Sequence, residues 1–84
     1  TEAERAVLGA MLLDPERAMP KVQLLQAEHF HLTKHAILFA TLQSMHAAGQ
    51  PIDKVTVWER LAADGTLQQV GGPAALVELT IGVA

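Results

Sequence analysis

The stretch TKHAILFATLQSMHAAGQPID, residues 33–53, contains one helix together with the signals that begin and end it. Thr33 is the expected cap, and the helix is predicted over about residues 34–48. Gly49 suits a left-handed C-cap, and Pro51 prevents the helix from continuing. The spacing of three and four residues predicts one inward stripe: His35, Leu38, Leu42 and Met45, with Phe39 beside them.

A first helix is predicted upstream, from about Glu2 to Leu13. Thr1 and Glu4 form a Thr-x-x-Glu capping box, in which each side chain can accept a hydrogen bond from the other residue's backbone amide. Apolar residues occupy more than one side of this helix. Such a helix usually packs against more than one neighbour.

The segment between these two helices contains two prolines. Asp14-Pro15 indicates an N-cap followed by proline at a first helical position. Because proline disrupts helix interiors, Pro20 is expected to separate a short turn at 15–18 from a second helix at about 19–26. Phe30, in the loop that follows, is expected to enter the core.

Two more helices are predicted after residue 53. Asp53 should start the fourth helix and Gly65 should end it, with an apolar face formed by Val57, Trp58, Leu61 and Ala62. Residues 66–70 are expected to form a single turn. Gly71-Gly72-Pro73 then precedes a last helix, which directs Leu76 and Leu79 at the core. The sequence therefore predicts an all-α fold, a compact bundle of about five to six short helices in one domain over residues 1–84.

Composition excludes several functional classes. Half of the residues are hydrophobic and only three are aromatic, so the core should be aliphatic. The chain has no cysteine, which excludes disulfides and cysteine-ligated zinc. With a net charge of −3 and six singly spaced cations, strong nucleic-acid binding is not expected. No apolar run approaches the ~18–20 residues that span a bilayer, so we expect no membrane partner and a cytoplasmic location.

The chain shows no motif for catalysis, cofactors or metals. His31 and His35 have the i, i+4 spacing of a metal pair, but the expected cap at Thr33 falls between them. Solvent-facing or helix-end histidines are therefore favoured, and a hydrogen bond to backbone would explain a partly buried His35. No phosphate-binding glycine loop is present. We predict no catalytic residue, no cofactor and no metal in this chain.

Read as a whole, the chain resembles the N-terminal domain of DnaB, the bacterial replicative DNA helicase. The resemblance extends over nearly all 84 residues without obvious gaps. It is carried, in order, by Glu2-Ala3-Glu4, Ala6-Val7-Leu8-Gly9, Leu13-Asp14, Phe30, His35, Leu38-Phe39, Gly49-x-Pro51-Ile52-Asp53-x-Val55-Thr56-Val57, Gly65-x-Leu67, Val70-Gly71-Gly72, Leu76 and Leu79.

The resemblance implies a small helical bundle that forms part of a collar above a ring-shaped, hexameric helicase. Its implied partners are other helicase subunits, primase and a helicase loader. ATP and Mg²⁺ would be bound by a separate C-terminal ATPase motor, which this chain lacks. The chain also stops near Ala84, before the helical hairpin that the family uses for pairing within the collar.

Three positions depart from the family pattern. His31 replaces a frequent tyrosine, Ala36 replaces the usual arginine, and Ala75 replaces a common aromatic residue. In the family, a partner-facing patch lies near the acidic start of the first helix and near that aromatic. The resemblance therefore implies Glu2 and Ala75 as partner-binding positions. Losing an aromatic anchor can cost about 2 kcal/mol, so we expect a weaker or rearranged primase contact.

Three alternatives remain open from the sequence. The first is the helicase-binding domain at the end of a primase, which has a related helical architecture. The second is a generic helical protein-interaction module. The third is a small histidine-based metalloenzyme, which zinc titration would test.

Overall fold

Five helices form the bundle in a computed structural model that describes residues 2–22, 25 and 30–81. Of these residues, the side chains of Glu2, Pro73, Thr80 and Ile81 are not described. All regular secondary structure in the described ranges is helical, which confirms the all-α prediction. The helices are α1 (Glu2–Leu13), α2 (Pro15–Val22), α3 (Thr33–Ala47), α4 (Lys54–Asp64) and α5 (Pro73–Ile81).

Helix α1 packs against several neighbours, as its broad apolar surface predicts. It packs against α2, α3 and α5, while α4 packs against α3 and α5. The core between them is mostly aliphatic, and its aromatic part is a contact between Phe30 and Phe39, whose ring centroids lie 4.7 Å apart. The most deeply buried side chains are Leu8, Met11, Phe39, Val57, Leu61 and Val70.

Helix α2 begins four residues earlier than the sequence predicted and continues through Pro20. The prediction of a turn at 15–18 followed by a helix at 19–26 is therefore wrong. Pro20 cannot donate a backbone hydrogen bond to Glu16, but its own side chain is exposed to solvent. Burial of Ala18, Met19 and Val22 in the core offsets the lost bond.

Helix α3 begins at Thr33 with Leu32 as its N-cap, so the prediction that Thr33 is the cap is wrong. Leu32 has no side-chain acceptor, but its carbonyl accepts the amides of His35 and Ala36. The C-terminal end follows the prediction. The Gln50 amide donates a hydrogen bond to the Met45 carbonyl. Gly49, at φ +73°, is the left-handed residue of this Schellman motif.

Helix α4 has the predicted start at Asp53, whose side chain accepts the Thr56 amide in a reciprocal capping box. Val57 and Leu61 are fully buried, as predicted. Trp58 is 45% exposed and Ala62 is also exposed, so the predicted apolar face was too wide. The main contacts of α4 are with α3 and α5, and a narrow stripe is enough to fill that interface.

The link from α4 to α5 is a turn, as predicted. Gly65 ends α4 at φ +75°, and Val70 from the turn is fully buried. Proline at position 73 begins α5, and Leu76 and Leu79 enter the core. None of the helices in the described ranges has the length and apolar character needed to cross a membrane.

Candidate functional site

A groove of about 290 Å³ lies where α1, the start of α3 and α5 meet. We call it the α1/α5 groove. Apolar side chains form its floor, and charged side chains from all three helices stand at its rim. Its lining residues are Arg5, Leu32, Lys34, His35, Leu38, Val70, Ala75, Glu78 and Leu79.

The rim of this groove carries two cations and one anion. The Arg5 guanidinium donates a hydrogen bond to the backbone carbonyl of Glu78 at 3.3 Å, which joins α1 to α5. Lys34 is exposed and forms no ion pair within the described part of the chain. A narrow apolar floor beneath charged groups is suited to holding a side chain of another molecule.

Ala75 is half-buried and lies directly in the groove. Its methyl group is 3.5 Å from the position that a Cβ on Gly71 would occupy, so this end of the groove is formed by two small residues. The other predicted partner-binding residue, Glu2, is the first residue of α1. Its side chain is outside the described residues, whereas Arg5, three residues later, lines the groove.

Glu4 connects the start of α1 to the start of α3, beside the same groove. One carboxylate oxygen accepts the backbone amide of His31 at 2.6 Å, and the other lies 2.8 Å from the ring Nδ1 of His35. His35 is buried, as the sequence suggested, but its partner is this carboxylate and not the backbone that we expected. The predicted partner of Glu4, Thr1, is outside the described residues.

These bonds determine the protonation of the pair. The His31 amide, followed by the His35 ring, stabilises the charged carboxylate and lowers the pKa of Glu4 from 4.5 to about 2. Glu4 is therefore ionised at neutral pH and can only accept hydrogen bonds. It follows that the His35 Nδ1 carries a hydrogen and donates a hydrogen bond to the Glu4 carboxylate.

Among the described residues, no other histidine joins this pair in a metal site. His31 lies before the first residue of α3 and is exposed, so it does not share a helix with His35. His29 is outside the described residues. Within the described ranges, no three His, Cys, Asp or Glu side chains are grouped closely enough to hold a metal ion.

Sequence reasoning missed several residues of the groove. Arg5, Lys34 and Glu78 come from three separate helices, and no local spacing connects them. The Glu4–His35 contact likewise joins residues 31 positions apart. Only packing of α1 against α3 and α5 brings these groups together, so no sequence motif could have identified them.

Comparison with known proteins agrees with the resemblance seen in the sequence. The family model described as the DnaB-like helicase N terminal domain matches residues 1–84. A replicative DNA helicase DnaB from Geobacillus stearothermophilus is 41% identical over 78 residues. These residues are 93% of this chain and 17% of that protein. A second relative of the same name, from Rhodothermus marinus, is 37% identical over 83 residues and is matched over 9% of its length.

The fold has a close counterpart among solved structures. The crystal structure of the N-terminal domain of DnaB helicase from Mycobacterium tuberculosis superimposes with a TM-score of 0.91 at 33% sequence identity. The match covers 96% of this chain and 59% of that chain. The chain thus spans a small part of the relatives' length and a little over half of the solved chain.

Proposed function

The chain belongs to the DnaB-like helicase N-terminal domain family, and from this membership we propose that it acts in DNA replication as the protein-interaction domain of a replicative helicase. In this proposal the domain forms part of a collar and contacts other helicase subunits, primase and a helicase loader. It catalyses nothing itself. ATP and Mg²⁺ are used by a motor domain of the parent helicase, outside these 84 residues.

The match across the whole chain carries the proposal, and the relatives favour a helicase origin over the primase alternative. Both relatives compared above are named replicative DNA helicases. The chain corresponds to only 17% and 9% of their lengths, which leaves ample room in a parent of that kind for an ATPase motor. In this proposal, the domain binds other proteins and the rest of the parent helicase hydrolyses the nucleotide.

The α1/α5 groove is the proposed place of primase contact. It contains one of the two partner-binding positions, Ala75, and it is lined by Arg5, which follows the other position, Glu2, by three residues. An apolar side chain of primase would fill the space beside Ala75, while Arg5 and Lys34 would favour carboxylates at the rim. Because the floor is open at Ala75, we propose a primase contact that is weaker than one built on an aromatic residue.

This proposal is tested by Ala75→Tyr. The added ring supplies the missing aromatic contact, and we expect primase to bind about 2 kcal/mol more tightly, roughly thirtyfold in Kd. Calorimetric titration of the 84-residue chain with its cognate primase measures the change. Ala74→Tyr is the matched control, because Ala74 is an exposed alanine on the same helix outside the groove.

Two results would contradict the proposal. If Ala75→Tyr and Ala74→Tyr changed the Kd for primase equally, primase would not bind at the α1/α5 groove. A full-length helicase that binds primase equally well after these residues are removed would end the proposed role of the whole domain. Sedimentation of that truncated helicase also tests self-association, because loss of the collar should weaken the hexamer.

A further inference from the structure

A second groove, of about 620 Å³, lies on the other side of α1 and has no assigned role. We call it the α1/α2 groove. Its apolar lining comes from Val7 and Ala10 of α1, from Ala18 and Val22 of α2, and from Leu25. It shares no lining residue with the α1/α5 groove, so α1 presents two separate surfaces.

The shape of the α1/α2 groove suits a helix. Ala6, Ala10 and Ala18 are small, which allows the backbone of another element to approach closely. Leu13 is 53% exposed and, by helical spacing, lies on the same side of α1 as Ala6 and Ala10. The exposed apolar surface therefore continues past the groove along the axis of α1, as a docked helix would require.

The charge at its rim identifies the kind of helix. Arg17 and Lys21 stand four residues apart on α2, both exposed, and Asp14, three residues before Arg17, is the anion among the lining residues. Neither cation forms an ion pair within the described ranges. Two unpaired cations along one edge of an apolar groove favour a partner with carboxylates along the matching edge.

We propose that the α1/α2 groove binds an amphipathic helix of a partner protein, with its apolar face on the alanines and an acidic edge beside Arg17 and Lys21. The site is independent of the proposed primase contact. A partner here and primase at the α1/α5 groove occupy opposite sides of α1 and bind at the same time. The domain is thus a two-sided adaptor.

The test uses a synthetic 16-residue helix as the probe. Leucines spaced at three and four residues form its apolar face, and glutamates occupy the flanking edge. Its matched control has lysine at every glutamate position. We expect the acidic peptide to shift the amide NMR signals of Ala6, Ala10 and Ala18 in the isotope-labelled 84-residue chain, and its affinity to fall as salt is raised.

Variants locate the charge contacts. The double variant Arg17→Glu with Lys21→Glu should weaken binding of the acidic peptide by at least about tenfold. The control is Lys54→Glu with Gln68→Glu, which adds negative charge at two exposed positions that line neither groove and should leave binding unchanged. Circular dichroism of both double variants verifies that the helices are retained.

Three outcomes would overturn the proposal. The lysine peptide could bind equally well, the signals of groove residues could remain unmoved, or the two double variants could behave alike. Concentration-dependent shifts of the same signals without any peptide would assign the groove to a second copy of the chain and would also overturn it. None of these results depends on the primase test at Ala75.

Discussion

The carboxylate of Glu4 holds together two helix starts that are distant in the sequence. It accepts the amide of His31, just before α3, and the ring proton of the buried His35. The α3 N-cap, Leu32, has no polar side chain, and Glu4 instead fixes the residue just before it, which ties the entry of α3 to the start of α1. This arrangement makes the entry to α3 dependent on the charge of Glu4.

Acid should therefore weaken the fold through Glu4. Because its pKa falls from 4.5 to about 2 on folding, the unfolded chain binds more protons between those values. Stability is then fully present above about pH 4.5 and is lost as the pH falls towards 2. We expect Glu4→Gln to destabilise the domain at neutral pH. It should also reduce the acid slope, which is the change in the free energy of unfolding with pH between about 4.5 and 2. Urea unfolding at several pH values measures both.

Glu59→Gln is the control for that measurement, since Glu59 is an exposed carboxylate on α4. It should leave both the stability at neutral pH and the acid slope close to those of the parent chain. If Glu4→Gln showed the parent's acid slope, the Glu4–His35 contact would have no role in acid stability.

At the level of single elements, the helix ends are governed by local hydrogen bonds. Helix α4 begins with a reciprocal capping box between Asp53 and Thr56, and α3 ends in a Schellman motif at Gly49. Both signals involve residues no more than five positions apart, so they can be identified in the sequence. Pro20 is a local signal of the same kind, yet α2 continues through it because tertiary burial outweighs one lost hydrogen bond.

The Asp53 cap makes a direct prediction. Asp53→Ala removes the acceptor of the Thr56 amide and should lower the free energy of unfolding by about 1 kcal/mol. Asp53→Ser keeps an oxygen at the same position and should retain most of the stability. Thermal or urea unfolding compares the two variants. Equal losses for alanine and serine would show that the cap bond contributes nothing.

For the whole molecule, the core depends on one aromatic contact inside an aliphatic bundle. Phe39 is fully buried on α3 and meets Phe30, which enters from the loop before that helix. Trp58, an aromatic residue of similar size, is 45% exposed on α4. The two positions should therefore contribute very differently to stability.

We expect Phe39→Ala to lower the free energy of unfolding by about 3–5 kcal/mol through lost burial and a cavity. A domain of this length has a stability of roughly 4–12 kcal/mol, so this variant would lose a large share of it. Trp58→Ala should have a much smaller effect. Urea unfolding followed by circular dichroism measures both, and a larger loss at Trp58 would contradict the described packing.

The sequence alone determined the all-α class, the bounds of α1, the end of α3, the start and end of α4 and most of the core, because capping and helical spacing are local properties. Tertiary structure decided what depends on contacts between distant residues. These are the continuation of α2 through Pro20, the exposure of Trp58, the Glu4–His35 pair and the two grooves on α1. Ala75 was known from the sequence as a departure from the family pattern, but only the packing of α5 against α1 shows that it opens a groove.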